Sequence, residues 1–263
     1  MANINSISTF RLTHYKKIFN CATDVEALKY YYWNQAISAE IYILLHNIEI
    51  CLRNRIHEVL SYDASLQQSL NFAWFDRLYL MKPDHQNPQK VIDTVLGSAI
   101  KKVKRDLGQK NKPPHPHNII CNLEFGKWKY VLLTKTYKDP RGRSGNAIDW
   151  NTLFPLIFPQ FMNHGRKSSQ KILDRLTEIS KLRNRVAHLE PVWKFEAKVF
   201  NKTVIPAPKD EVTALDRLGK EINWAIVFLS WICQDSYDHY INTNSFKRLQ
   251  NLITKAGLDS LVL

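Results

Sequence analysis

The segment Arg183-Asn184-Arg185-Val186-Ala187-His188 contains residue types that can cleave RNA without a metal ion. Such cleavage needs a base for the 2′-hydroxyl proton, an acid for the leaving 5′-oxygen and a cation for the charge that develops around phosphorus. Histidine and arginine side chains together cover these three roles. The spacing alone is a weak signal, because an arginine five positions before a histidine is common in unrelated sequences.

A helix over residues 168–190 is predicted to carry this segment. Its apolar residues recur at helical spacing, at Ile172, Leu176, Ile179 and Val186. At about 100° per residue, Arg183 falls within the arc that they occupy. A guanidinium facing a packed surface needs partners, so we expect Arg183 either to pair with a carboxylate or to line a cleft or subunit interface. Pro191 is expected to end the helix, because proline disfavours the α conformation of the residue before it.

His188 lies in the last turn of this helix, where the negative end of the helix dipole favours an imidazolium. That position suits a general acid. Asn184 lies four residues earlier on the same face, within reach to orient the ring or to hold a phosphate. On an ideal helix Arg183 and His188 point about 140° apart, so they converge only if the final turn loosens or a second subunit contributes. Two copies in a symmetric dimer would make a more complete site.

A purely structural role explains the same residues. In that interpretation Arg183 forms a buried ion pair, His188 is an ordinary surface residue at a helix end, and their proximity has no chemical meaning. The spacing does not distinguish the two interpretations.

A second polar row runs along the longest predicted helix, residues 36–60. Glu49, Arg53 and His57 are spaced four residues apart, and Glu before Arg is the favourable order for an ion pair. One interpretation is a solvated row. The other is that Glu49 or Arg53 reaches the helix of Arg183, where Glu49 would compensate the inward arginine. We assign His57 no catalytic role.

The charge of the chain favours a polyanionic partner. Lys and Arg number 37 against 24 Asp and Glu, a formal net charge of +13. Lys101, Lys102, Lys104 and Arg105 form a basic run at the end of a predicted helix and are candidates, with Arg185, to contact an RNA backbone. Solvated lysines explain the same run.

The remaining periodicity predicts an all-α protein with one domain over residues 1–263, a core at about 25–240 and a short helical tail. Further helices are predicted over 89–107, 122–137 and 211–240, with a basic loop at 138–145 and short pieces at 150–161. No hairpin signal is present. Trp128 and Trp193 are predicted to be core residues rather than platforms for bases.

The cysteines are predicted to be reduced packing residues. Cys21, Cys51, Cys121 and Cys233 lie far apart without a CxxC pair, which is typical of a cytoplasmic protein. His115 and His117 precede Cys121 at a spacing loosely like that of metal ligands, but no second motif completes a site. We therefore predict no metal and no cofactor. The N-terminus lacks the apolar stretch of a signal peptide, and no segment is predicted to span a membrane.

The segment LRNRVAHLEPVW, residues 182–193, resembles the RNxxxH signature of the HEPN superfamily, and its form resembles the bacterial Abi-like (abortive infection) family. Three other stretches resemble that family in the same order. They are the early helix at 49–57, an FGxW element at 123–128 and a W…P…FP stretch at 150–159. The resemblance covers about residues 25–195.

This resemblance implies a HEPN-like helical bundle with long loop insertions that dimerises through its motif-bearing helices. It also implies a metal-independent endoribonuclease toxin that limits phage growth, with Arg183 and His188 as the catalytic pair and Asn184 as a polar helper. RNA is the implied substrate, with no DNA specificity. Two alternatives remain: a non-catalytic module that holds a structured small RNA, and a structural helical dimer or protein-interaction module.

Overall fold

The computed structural model describes residues 7–162, 166–200 and 203–261. Within these ranges the chain is mostly helical, which confirms the predicted fold class. The helices are α1 (Thr9–Phe19), α2 (Asp24–Ala64), α3 (Trp74–Arg77), α4 (Val95–Gln109), α5 (Pro116–Asn122), a 3-10 turn (Phe125–Lys127), α6 (Trp128–Leu132), α7 (Trp150–Ile157), α8 (Arg166–Ala187), α9 (Glu211–Ile232), α10 (Gln234–Ile241), α11 (Asn244–Leu252) and α12 (Lys255–Ser260). Across the same ranges, no helix has both the length and the apolar character needed to cross a bilayer.

Three short antiparallel hairpins correct the prediction that the chain has no strand pair. They pair β1 (Met81–Pro83) with β2 (Val91–Asp93), β3 (Thr136–Lys138) with β4 (Ser144–Ala147), and β5 (Lys198–Phe200) with β6 (Thr203–Ile205). Strands of three or four residues are too short to display an alternating apolar pattern, so the sequence signal was missing. The predicted basic loop at 138–145 is largely the turn of the β3–β4 hairpin.

Several predicted helix boundaries were also wrong. The helix expected at 89–107 begins only at Val95, because the Thr94 hydroxyl accepts a hydrogen bond from the Gly97 N–H and caps it. The helix expected at 122–137 is divided into the 3-10 turn, α6 and part of β3. The helix expected at 211–240 is interrupted at Cys233 between α9 and α10. Apolar periodicity does not reveal such a one-residue interruption.

Helix α2 contains the helix predicted at residues 36–60 and is longer than predicted at both ends. The stripe proposed from the sequence is buried, at Ile37, Ile41, Leu45, Ile48, Leu52, Ile56 and Val59. At the N-terminus, the Thr23 hydroxyl accepts from the Glu26 N–H (3.2 Å), and the Glu26 carboxylate accepts from the Ala22 N–H (2.8 Å). The first bond satisfies a donor that a helix start leaves unpaired, and the second ties the preceding residue to the first turn, so together they fix where α2 begins.

The first of two compact units comprises residues Met1–Ile48, Lys181–Ser230 and Gln234–Leu263. An aromatic cluster lies in its core, with the Trp193 ring centroid 5.2 Å from that of Tyr15 and 5.1 Å from that of Phe19. Trp33 is also buried there, and its indole N–H donates to the Leu252 carbonyl (2.9 Å). Trp193 is 1% exposed, which confirms the prediction that it is a core residue.

The second unit comprises Glu49–Ser180 and Trp231–Cys233. Its core includes Trp74, Phe125 and Trp128, and the full burial of Trp128 confirms its predicted core role. Each unit is assembled from segments far apart in sequence. The single domain over residues 1–263 stays a prediction.

The cysteines agree only partly with their predicted packing role. All four are described and none forms a disulfide. Cys21, Cys51 and Cys233 are half-buried, whereas Cys121, next to the last residue of α5, is exposed and does not pack in the core. Among the described residues, no group of three or more His, Cys, Asp and Glu side chains could hold a metal ion.

His57 is a structural histidine in the second unit. Its Nδ1 accepts a hydrogen bond from the Trp74 indole N–H (2.9 Å), and its Nε2–H donates to the Asn71 side-chain oxygen (3.1 Å). Only a neutral ring can make both bonds, because protonation at Nδ1 removes the acceptor. Burial lowers the pKa of His57, and the nearby charges of His117 and His115 lower it further.

We predict that, because of His57, the free energy of unfolding is lower in mild acid than at neutral pH. Since its folded-state pKa lies below the ordinary value of about 6.5, the unfolded chain binds the proton first as the pH falls. The stability contributed by neutral His57 is therefore complete above about pH 6.5 and declines below it, until the pH reaches the folded-state pKa. Urea unfolding followed by tryptophan fluorescence should show this decline.

His57→Gln should flatten this pH dependence. His46→Gln is the matched control on the same helix, because His46 is exposed and leaves the core unchanged. An unchanged pH slope in His57→Gln would contradict the assignment.

Candidate functional site

The candidate site lies at the C-terminal end of α8. Val186 and Leu182 are buried there, Arg183 is half-buried beside them, and Asn184 and His188 are exposed. The sequence placed Arg183 within the arc of the apolar face, and the side chain is half-buried rather than buried. The sequence also extended the helix to residue 190, whereas α8 ends at Ala187.

The helix ends in a tight turn rather than directly at Pro191. Leu189 adopts a left-handed conformation, with a φ of 56°. The Leu189 N–H donates to the Val186 carbonyl (3.1 Å), and the Glu190 N–H donates to the Arg185 carbonyl (2.8 Å). These are the two hydrogen bonds of a Schellman motif, which satisfies carbonyls that a helix end would otherwise leave unpaired. Glycine is the usual residue at this position, so a leucine here holds a turn at a conformational cost of about 1–2 kcal/mol.

Three side chains of the first unit fix the chain after this turn. The Arg11 guanidinium of α1 donates to the Leu189 carbonyl. The Asn34 side-chain oxygen, buried on α2, accepts from the Val192 N–H (2.9 Å), and Arg185 Nη1 donates to the Pro191 carbonyl (3.3 Å). Together with the buried Trp193, these bonds hold the helix end between α1 and α2.

Sequence reasoning missed Arg11 and Asn34. A signal for Asn34 exists, since it is a polar residue one position after the buried Trp33, but it lies before the predicted start of the helix at residue 36. Arg11 has no comparable signal, because its partner is a backbone carbonyl 178 residues away.

Arg183 and His188 both lack partners within the described ranges of the chain. The half-buried Arg183 guanidinium has no hydrogen bond or ion pair there, so a carboxylate partner, one of its two predicted surroundings, is not found. The exposed His188 imidazole and the Asn184 amide are likewise without a side-chain partner. These groups are therefore available to a ligand or to another chain.

The backbone decides how Arg183 and His188 are oriented. The His188 N–H donates to the Asn184 carbonyl (2.8 Å), so α-helical winding continues through His188. The final turn does not loosen. The two side chains therefore leave the helix about 140° apart, and the first of the two ways in which they were expected to converge is absent.

Arg185, a candidate RNA contact, has intramolecular partners. Besides donating to the Pro191 carbonyl, its guanidinium lies 5.4 Å from the ring centroid of Phe195. This cation–π contact and the hydrogen bond orient the side chain toward its own unit. Its role in RNA binding stays a prediction.

Glu49 and Arg53 belong to the second unit and are both half-buried rather than fully solvated. No ion pair joins them in the described part of the chain, and Arg53 Nε is buried without a hydrogen-bond partner there. Their supporting role toward Arg183 stays a prediction.

The basic run of α4 is partly neutralised by neighbouring carboxylates. Three of its four side chains face one: Lys101 with Asp93 (2.7 Å), Lys104 with Asp76, and Arg105 with Asp106 (3.6 Å). Lys102 has no such partner among the described residues. The run is therefore not a uniform basic stripe, although exposed pairs of this kind are weak.

A family model described as Abi-like protein matches residues 2–194, which is most of the chain. The chain belongs to the Abi-like protein family. This confirms the family resemblance found in the sequence, and the family suggests a function related to abortive infection. No curated protein and no solved structure matches the chain.

The Abi-like match ends one residue after Trp193, but the first unit does not. The Glu40 carboxylate of α2 accepts from the Ser245 hydroxyl and from Arg248 Nε, both at 2.6 Å. Residues beyond the match therefore complete the unit that holds the Abi-like motif.

Replacing Leu189 with glycine should stabilise this Abi-like protein. Glycine adopts the left-handed conformation without the steric penalty of a leucine, and the leucine side chain is 73% exposed, so little packing is lost. We expect a gain of up to about 1 kcal/mol in the free energy of unfolding, measured by urea denaturation.

The matched control is Ala187→Gly, two residues earlier in the helix. It should destabilise the protein by about 0.5–1 kcal/mol. If both glycine variants lose stability equally, the left-handed turn is contradicted.

Proposed function

We propose that this Abi-like protein is a metal-independent endoribonuclease of the HEPN type that acts as a toxin in abortive infection. The observation that carries the proposal is a half-buried Arg183 without a carboxylate partner in the described chain, on the same helix end as an unpartnered His188. An arginine at the edge of an apolar surface binds an anion well, because little water competes for it. An RNA phosphate is such an anion.

The reaction follows from the residue types. A histidine takes the proton of the RNA 2′-hydroxyl, and the 2′-oxygen attacks the adjacent phosphorus. Arg183 stabilises the negative charge on the phosphorane, and the bond to the 5′-oxygen breaks as a second imidazole donates a proton to that oxygen. The products carry a 2′,3′-cyclic phosphate and a 5′-hydroxyl.

Asn184 fits the role of a positioning residue. It precedes His188 by one helical turn and is exposed on the same side of α8. Its amide can donate to a phosphate oxygen or orient the imidazole, and neither role requires it to change protonation state.

The proposed site is shared between two chains. One chain offers a single His188 at this helix end, whereas the reaction uses a base and an acid. The continued helical winding through His188 also keeps it about 140° from Arg183. A two-fold axis near the end of α8 would supply a second Arg183/His188 set, and a symmetric dimer is the commonest assembly that does so.

His188→Ala and Arg183→Ala should each abolish most cleavage of a 5′-labelled single-stranded RNA. Loss of an acid–base group costs about 10²–10⁴-fold, and loss of a group that stabilises transition-state charge costs about 10²–10³-fold. The matched control is Lys181→Ala, which removes an exposed cation from the same helix and should retain activity. Circular dichroism would verify that all three variants fold.

Three results would contradict this mechanism. They are cleavage that disappears on adding EDTA, cleavage that survives in His188→Ala, and products without cyclic phosphate ends. RNA binding by a wild-type protein that does not cleave would instead select the non-catalytic RNA-holding module.

Pairing a wild-type chain with a His188→Ala chain tests the shared site. Such a mixed dimer has only one of the two imidazoles that the proposed reaction uses. After co-expression with two different affinity tags, the purified mixed dimer should lose about 10²-fold or more of the wild-type rate. A mixed dimer that keeps half of the wild-type rate would contradict a site built from two chains.

A further inference from the structure

The second unit contains a cavity that the proposed catalytic site does not use. It has a volume of about 550 Å³ and lies between α4 and the segment that runs from the end of α4 to the 3-10 turn. Its size falls within the range of small-molecule and cofactor pockets, about 300–1,000 Å³. We call it the α4 pocket.

The floor of the α4 pocket is apolar. Val103 and Leu107 of α4 and Leu123 after α5 line it, and each of them is otherwise buried in the core. Because these side chains are held by the fold, the floor is a preformed surface against which a flat apolar group can lie.

The rim of the α4 pocket is basic. Four lysines line it, from three different segments: Lys102 on α4, Lys110 and Lys112 just after it, and Lys127 in the 3-10 turn. Two carboxylates, Asp106 and Glu124, line it as well, so four positive charges face two negative ones.

Most of that positive charge is uncompensated. Lys127 pairs with Glu124 (3.5 Å), and Asp106 faces Arg105 (3.6 Å). Lys102, Lys110 and Lys112 have no carboxylate partner in the described part of the chain. The neighbouring Lys101 and Lys104, by contrast, face carboxylates and do not line the pocket. Of the four residues in the basic run, only Lys102 lies on the side of α4 that lines the pocket.

The turn that carries two of these lysines is fixed. The Lys110 and Lys112 N–H groups both donate to the Leu107 carbonyl (3.1 and 2.9 Å), and Asn111 between them is left-handed with a φ of 52°. The Asn118 amide then donates to the Pro113 carbonyl (3.0 Å). A backbone ordered before the ligand arrives lowers the entropy that binding would cost.

We propose that the α4 pocket binds one nucleotide unit. The base lies on the apolar floor, the phosphate is bound by Lys102, Lys110 and Lys112, and Asp106 or Glu124 accepts a hydrogen bond from a ribose hydroxyl or a base amine. An acidic peptide fits less well, since its ionised side chains cannot donate hydrogen bonds to Asp106 or Glu124 and offer no flat group for the floor. The proposal stands on this pocket alone and does not depend on catalysis by His188.

The test compares two adjacent lysines. Lys102→Glu and Lys101→Glu make the same charge change on consecutive residues of α4, but only Lys102 lines the pocket. A third variant, Ala99→Phe, fills the pocket from its wall without changing the charge. All are made in the His188→Ala chain, so that the probe RNA is not consumed whether or not the protein is a nuclease.

The probes are a fluorescent single-stranded RNA of about ten nucleotides and the free mononucleotides AMP, GMP, CMP and UMP. We expect Lys102→Glu and Ala99→Phe to weaken binding about tenfold or more, and Lys101→Glu to change it by about twofold or less. Mononucleotide binding that is lost in the same two variants identifies a free nucleotide as the ligand. Binding of the RNA alone identifies a segment of an RNA chain.

Other outcomes overturn the proposal. Equal losses in Lys101→Glu and Lys102→Glu indicate general attraction of RNA to a basic surface, and full binding in Ala99→Phe shows that the pocket is not occupied. Binding of poly-glutamate that requires Lys102, with no nucleotide binding, assigns the pocket to an acidic peptide. A wild-type chain that binds nucleotides as expected but does not cleave RNA would count against the catalytic proposal only.

Discussion

The turn at Leu189 is the constraint on which the arrangement of the α8 end depends. A helix that continued to Pro191 would carry the following residues away from α1 and α2. Instead, the left-handed Leu189 reverses the chain, so that the Val192 N–H meets the Asn34 side chain and Trp193 enters the aromatic cluster of Tyr15 and Phe19. Burial of a tryptophan and of a satisfied polar pair offsets the local cost of a left-handed leucine.

The same turn explains why the reactive residue types remain exposed. With the chain after the helix drawn inward, the last turn of α8 presents Asn184 and His188 to solvent, while Val186 stays in the core. Arg183 lies between these two environments. Its charge has no carboxylate partner in the described chain, and a partly desolvated cation in that position favours an anionic ligand. The helix end is fixed in place by structural bonds, whereas the side chains of Arg183, Asn184 and His188 have no hydrogen-bond or ion-pair partner among the described residues.

On α4, too, the environment of a charged side chain depends on the side of the helix on which it lies. On α4, consecutive lysines have different environments, because Lys101 reaches Asp93 while Lys102 faces a cavity with an apolar floor. A net charge of +13 favours polyanions in general but does not say where they bind. Carboxylates partly neutralise Lys101, Lys104 and Arg105. Lys102 instead lines the α4 pocket, together with lysines from other segments.

The sequence by itself determined the mostly helical fold, the stripe of α2, the core positions of Trp128 and Trp193, and the family. These follow from patterns within one element or one motif, for which apolar periodicity and residue type are sufficient. The ends of α4, α6 and α8 and the three hairpins were not predictable in the same way. They depend on single capping bonds, on strands of three or four residues and on a left-handed leucine that carries no glycine signal.

Only the tertiary structure decided which polar residues have partners. Asn34 and Arg11 bind backbone groups more than 150 positions away, and Lys102 and Lys112 line one cavity from different segments. The sequence correctly identified Arg183 as an arginine on an apolar face, but it could not tell whether a carboxylate would meet it. Contacts between residues far apart in sequence arise from packing, and no local spacing encodes them.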